Sequence, residues 1–209
     1  MNPAMMISRV KTEKKAVAFT FDDGPNPIYT PQLLQIFGQT GGKATFFMLG
    51  SQIEIHPEVA RAVHAQGHEI GNHTYSHPHL SRLSGPECLE ELVRTEQLIV
   101  GITGTRPAVF RPPYMDYNEQ TAAIALSLQY RVAGAANVGT MDWEQPGVDF
   151  IVDKTKETLR PGNILLFHDG FGDRSQTVEA VRRLVLELTS DGYKLVTVSG
   201  LLRLGEPEA

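Results

Sequence analysis

About seven times along its 209 residues the chain passes from a short apolar run to a longer amphipathic one and back. Short connections join these units, with no linker, repeat or low-complexity stretch between them. Few folds satisfy such an alternation: parallel strands with helices packed outside, arranged as an open doubly wound sheet or as a barrel. The first run sets the pattern. Val17, Phe19 and Phe21 alternate with Ala16, Ala18 and Thr20, as in a strand buried on both faces. Residues 44–48, 69–72, 108–111, 130–135, 164–167 and 194–198 read as the further strands. Thr30-Pro31 reads as an N-cap and first-turn proline ahead of Leu33, Leu34, Ile36 and Phe37. His56-Pro57 opens a helix that Gly67 closes, and Ser84 with Glu87 forms a capping box. Further helices are expected near residues 119–128, 149–159 and 178–188.

The polar residues choose between the two architectures. Asp22-Asp23, His73, Arg111, Tyr114, Asp142-Trp143 and His168 all fall just past the C-terminal end of a strand. In an open sheet, residues from so many strands cannot all meet, whereas in a closed parallel barrel those ends share one rim. No glycine-rich dinucleotide or phosphate-binding fingerprint is present to favour an open nucleotide-binding sheet. The chain is shorter than the roughly 250 residues of an eight-fold barrel. The expectation is therefore α/β, a distorted or incomplete (β/α) barrel of about seven strands. Residues 1–14 read as an N-terminal extension and 15–209 as a single catalytic domain. A net charge of −5 argues against a nucleic-acid or anionic-membrane partner. No apolar run is long enough to cross a bilayer, and residues 1–15 hold no signal-peptide core. Cys88 is the only cysteine, which excludes an internal disulfide and suits a small buried apolar residue.

In Asp22-Asp23-Gly24-Pro25 a turn presents two adjacent carboxylates at a strand's rim. Such a pair suits a division of labour, one acid on a metal and one free as a base. His73 and His77 stand four apart, a spacing that grips a divalent cation with nitrogen ligands. Two imidazoles and one carboxylate with open positions suit catalytic Zn²⁺, with Co²⁺, Ni²⁺ or Fe²⁺ accepted. A phosphoryl-transfer reading of Asp22-Asp23 would need Mg²⁺, which prefers an all-oxygen shell. His79 is the one competing histidine close enough to act as a false ligand. His56 and His64 read as surface helical residues, and His68 as a hydrogen-bonded residue of the strand.

Thr20 to Pro25, His73 to His77, Arg111-Pro112-Pro113-Tyr114, Asp142-Trp143 and Leu166-Phe167-His168 together resemble, in order and setting, the polysaccharide deacetylase family. This is the NodB-homology domain of carbohydrate esterase family 4. The resemblance spans about residues 15–202. It implies Asp23, His73 and His77 as metal ligands and Asp22 as general base, kept ionised and oriented by Arg111. It implies the Tyr114 N–H as an oxyanion donor, and His168, oriented by Asp142, as general acid. Trp143 and Leu166 would line a pocket for the acetyl methyl, with Pro113 and Tyr114 also at the substrate. The implied reaction is hydrolysis of N-acetyl groups on N-acetylglucosamine-containing glycans, chitooligosaccharide or peptidoglycan. The alternatives are an O-acetyl esterase on acetylxylan and a catalytically weak glycan-binding module of the same fold. The resemblance also suggests a secreted or cell-wall-associated protein; a monomer is expected, and the short loops between motifs argue for an open groove. Three departures stand out: Gly139 where many members carry Asp, and Met115 and Phe171 where glycine is common. Phe171 is expected to offer a stacking face for a sugar ring, and residues 173–176 to cap the last helix.

Overall fold

The computed structural model describes residues 5–208. Its elements follow in the order β1 (Arg9–Lys11), β2 (Ala16–Asp22), α1 (Tyr29–Thr40), β3 (Thr45–Met48), α2 (Gly50–Ile55), α3 (Pro57–Ala65), β4 (Glu69–Asn72), α4 (Gly85–Thr103), β5 (Val109–Phe110), α5 (Glu119–Ser127), β6 (Arg131–Val132), α6 (Val148–Thr158), β7 (Ile164–His168), α7 (Ser175–Ser190), β8 (Lys194–Leu195), α8 (Val198–Leu202) and β9 (Glu206–Glu208). Seven strands form one parallel sheet in the order β6-β5-β4-β3-β2-β7, with β8 also pairing β2. The sheet curls into an incomplete barrel, as expected from the sequence.

The seam between β6 and β7 is filled by the segment ahead of β2. Ile7 bridges Ala133, and Arg9 bridges Asn163. Ile164 N donates to Ser8 O at 3.0 Å. β1 then pairs antiparallel with β9. Of the extension expected over residues 1–14, residues 1–4 lie outside the described residues, while Ile7 and Val10 are buried against the barrel. Among the described residues no helix is long and apolar enough to cross a membrane.

The period of two along β2 explains what faces where. Val17, Phe19 and Phe21 point out to the helices and join Phe37, Phe46 and Phe167 in the main core. Phe19 stacks on Phe167 at 5.6 Å, and Phe21 lies 5.0 Å from Phe46. Each such ring, fully buried, contributes about 1.5–3 kcal/mol. The alternate residues Ala16 and Ala18 fill the barrel interior beside Phe47, Val109 and Ile164. Thr20 and Asp22, next in that inward series, therefore point up the barrel toward its rim. The same parity holds on β7, where Thr20 registers with Leu166 and Asp22 with His168.

Three local expectations differ. The first helix is not capped by Thr30, which lies inside it; Asn26 Oδ1 accepts the N–H groups of Ile28 and Tyr29 at 2.8 and 3.0 Å. Thr30 instead turns its hydroxyl to the buried Asp169 carboxylate. The short helix α2 had no periodic signal of its own. Strand β8 stops at Leu195, because Thr197 caps α8 through Gly200 N at 3.0 Å. The capping box of Ser84 and Glu87 is present. Before α7, Asp173 Oδ1 accepts Ser175 N at 2.8 Å.

Candidate active site

A cleft of about 680 Å³ opens at the C-terminal rim of the barrel. Asp22, Asp23, His73, His77 and His168 meet on its floor, with Tyr114, Trp143, Leu166 and Phe171 on its walls. Both prolines are buried; Pro112 lines the cleft, and Pro113, expected at the substrate, is not among its lining residues.

Asp22 and Asp23 diverge because the strand ends between them. Asp22 keeps the inward direction of β2, and its Oδ1 receives Arg111 Nη1 at 2.7 Å. The Arg111 guanidinium is fully buried and donates also to Thr20 Oγ1, Ala133 O and Gly134 O, while stacking 4.4 Å over Phe47. A buried charge so completely satisfied has one position open to it. The second Asp22 oxygen, Oδ2, is left toward the cleft, 3.7 Å from His73 Nε2.

Asp23, at a positive φ of 74°, turns to the histidines. Its Oδ1 lies 3.4 Å from His73 Nε2 and 3.2 Å from His77 Nε2, yet is buried without a hydrogen bond. His73 uses Nδ1 on Arg111 O at 2.7 Å, which leaves Nε2 for the centre. The three donor atoms all lie within 4.8 Å of one another. A buried carboxylate oxygen without a partner, facing two imidazole lone pairs, fits a divalent cation. The electrostatics agree. Burial would raise the Asp23 pKa, but the two imidazoles hold it well below the usual range. Burial would lower that of His73, but Asp22 and Asp23 push it up. The centre thus attracts positive charge, which a cation supplies in place of a proton.

Across the cleft, His168 Nδ1 pairs with Asp142 Oδ1 at 2.8 Å, and Asp142 Oδ2 accepts the His168 N–H and the Thr177 hydroxyl, each at 2.9 Å. Burial works against the imidazolium, but Asp142 beside it pushes the His168 pKa up to about 9. Trp143 meets the His168 ring edge-on at 5.2 Å. Gly170 lies against Asp23, where an added Cβ would stand 2.1 Å from Asp23 O.

Tyr114 sits at φ 57° between Met115 N and Pro112 O (3.1 Å) and Asp116 N and Pro113 O (2.9 Å). Its own N–H finds no acceptor among the described residues. Met115 and Phe171 are also left-handed, at φ 55° and 50°. Where glycine would be unstrained, these side chains cost about 1 kcal/mol each to keep. A Cβ added at Gly139 would meet nothing within 4 Å, while the adjacent Thr140 Oγ1 is buried without a hydrogen-bond partner. His79 does not join Asp23, His73 and His77; it stacks on Tyr114 at 4.1 Å. His68 is buried and accepts Ala44 N at 3.0 Å, its pKa pulled down to about 4 by burial.

Sequence reasoning missed several supporting residues. Thr20, Thr177, Asn137, which brackets Leu166 with two hydrogen bonds, and Arg174, which holds Gly170 O at 2.9 Å, all act through others. Of these, Thr20 alone carried a signal, its inward parity with Asp22.

The family model for polysaccharide deacetylases matches residues 9–133. A peptidoglycan-N-acetylglucosamine deacetylase of Bacillus cereus is 40% identical over 93% of this chain and 91% of its own. A chitooligosaccharide deacetylase of Bradyrhizobium sp. (strain ANU 289) is 35% identical over 87% of this chain and 88% of its own. Among solved structures, a pseudoenzyme of carbohydrate esterase family 4 from Bacillus anthracis superposes with a TM-score of 0.88. It is 28% identical, with 97% of this chain and 70% of that one covered.

Proposed function

The chain belongs to the polysaccharide deacetylase family, hydrolases of amide bonds, and from that membership we propose that it removes N-acetyl groups from N-acetylglucosamine-containing glycans, with peptidoglycan and chitooligosaccharide as the substrate class. The observation that carries this reading is the split between the two acids: Asp22 tied to Arg111 with one oxygen free, Asp23 orphaned between two imidazoles.

Asp23, His73 and His77 would hold one divalent cation, Zn²⁺ by preference with Co²⁺, Ni²⁺ or Fe²⁺ tolerated. A bound cation would supply Lewis acidity and make water a better nucleophile at neutral pH. Asp22 Oδ2 takes the proton of the attacking water, while Arg111 fixes the carboxylate's direction. The Tyr114 N–H donates to the carbonyl oxygen as it becomes anionic, a contribution of about 3 kcal/mol to the barrier. His168 Nε2 protonates the departing amine, and Asp142 on Nδ1 fixes the tautomer that can do so. Trp143 and Leu166 receive the acetyl methyl. Phe171 stacks a neighbouring sugar ring, a use that accounts for a large side chain kept in a left-handed conformation. A wall polymer as substrate places the work outside the cytoplasmic membrane.

The pseudoenzyme relative supports a second reading, a glycan-binding module that kept the fold. Against it, the base, acid, oxyanion donor and all three ligands are present here. Acetate release from chitooligosaccharides, peptidoglycan and acetylxylan, with Asp22→Asn as control, tests the proposal. Release from the first two and none by Asp22→Asn is expected. Release from acetylxylan alone would make the protein an O-acetyl esterase, and none from any polymer would favour the binding module.

A further inference from the structure

Residues 73–77 carry both histidines of the triad, and their backbone does not hold itself. Thr74 and His77 lie at φ 72° and 63°, left-handed values that cost a non-glycine residue about 1 kcal/mol each. The turn's carbonyls are taken by α2: Gly50 N and Ser51 N donate to Thr74 O and Tyr75 O at 3.0 and 3.1 Å. Two of its N–H groups are satisfied locally, Thr74 N on Asn72 Oδ1 at 2.9 Å and His77 N on Thr74 Oγ1 at 3.2 Å. The two in the middle, those of Tyr75 and Ser76, both donate at 2.8 Å to one oxygen, Oε2 of Glu91. Its other oxygen, Oε1, accepts the Ser76 hydroxyl at 2.8 Å. Glu91 stands on α4, and the next residue, Leu92, accepts Asn72 Nδ2 at 2.8 Å through its carbonyl. One helix thus anchors both the end of β4 and the turn that follows it.

We propose that Glu91 is a positioning residue for the cation site, its carboxylate setting the separation of His73 and His77 and so the affinity for metal. The inference rests on the reading of Asp23, His73 and His77 as the ligands. Without the carboxylate, two N–H groups and a hydroxyl lose their common acceptor, and the left-handed turn relaxes toward ordinary geometry. His77, at the turn's far end, then moves relative to His73, which is fixed by Arg111 O. The side chain of Glu91 serves the turn rather than its own helix, so α4 itself survives the loss.

The test measures Zn²⁺ affinity of metal-stripped protein by competition with a chromophoric chelator, alongside melting of the metal-free form. Glu91→Met keeps the stem and removes both acceptors; it weakens Zn²⁺ binding about 10- to 100-fold, the usual effect of losing a partner behind the ligands. Glu91→Gln restores affinity to within a few-fold, because its oxygen still accepts both N–H groups and its amide donates to Ser76 Oγ. Glu90→Gln, on the exposed neighbour, binds as wild type. Wild-type affinity in a folded Glu91→Met protein would overturn the proposal. So would a Glu91→Gln protein as weak as Glu91→Met, since charge rather than hydrogen bonding would then be responsible. Should Glu91→Met fail to fold without metal, Ser76→Ala removes one of the three bonds; a few-fold loss supports the clamp and an unchanged affinity overturns it. A wild-type protein that binds no Zn²⁺ would instead overturn the ligand reading, before any variant is compared.

Discussion

Asp142→Asn is the perturbation whose consequence follows most fully from the geometry. Asp142 is fully buried and holds His168 at both its ring Nδ1 and its backbone N–H. Burial pulls the His168 pKa down from 6.5, and the hydrogen bond and charge of Asp142, followed by the charges of Asp22 and Asp23, push it up to about 9. A cation on Asp23 offsets the last of these contributions and leaves that of Asp142. Asparagine keeps the shape and removes the charge, so burial pulls the pKa down with the charge of Asp22 left to oppose it. Once the pKa lies below the working pH, the protonated fraction drops about tenfold for each further unit. The rate falls at least about tenfold on this ground, about 1.4 kcal/mol of barrier, and further where the amide favours the wrong tautomer. The acid acts while protonated, so activity persists below the folded pKa and is lost as pH rises through it. The alkaline limb of the wild type, near pH 9 and lower with metal bound, moves in the variant to lower pH. Acetate release from chitooligosaccharide between about pH 5 and 10, at saturating Zn²⁺ and with melting as a fold control, reads this shift. An alkaline limb superimposable on that of wild type would refute His168 as an acid tuned by Asp142.

Other substitutions probe separate parts of the cleft. Arg111→Lys loses the planar fork that serves Asp22, Thr20 and Gly134 together, and is expected to destabilise the fold by about 3 kcal/mol in denaturant melts. Gly170→Ala drives a methyl into Asp23 O, and is expected to weaken Zn²⁺ binding more than tenfold in a chelator competition. Phe171→Ala is expected to raise KM a few-fold on longer chitooligosaccharides with little change in kcat, and to relieve left-handed strain only slightly, since alanine keeps its Cβ. An unchanged KM at every chain length would remove Phe171 from the substrate's path.

The residues proposed to carry chemistry were legible because their motifs stand where barrel topology places them by rule. An inward parity on β2 and the C-terminal ends of successive strands suffice to bring Asp22, His73, Arg111 and His168 to one rim. Boundaries were less legible where side chains override backbone preference. Thr30 looks like a cap but serves Asp169, and Asn26, within an irregular turn, does the capping. The seam of the barrel was hidden because Ile7 and Val10 form too short an apolar pattern to announce a strand. Thr177 and Glu91 escaped for a different reason: each lies on a helix far along the chain from the group it holds, and helical periodicity says nothing about such partners.

The most direct measurement is the rate of acetate release by metal-stripped protein as Zn²⁺ is titrated in, with Asp22→Asn run in parallel. The account predicts a rate that climbs from baseline to a plateau at about one equivalent in the wild type. It predicts a flat line in Asp22→Asn, which still binds the ion because Asp23, His73 and His77 are intact. Turnover that survives stripping, or that persists in Asp22→Asn, would contradict the division of labour between the two acids.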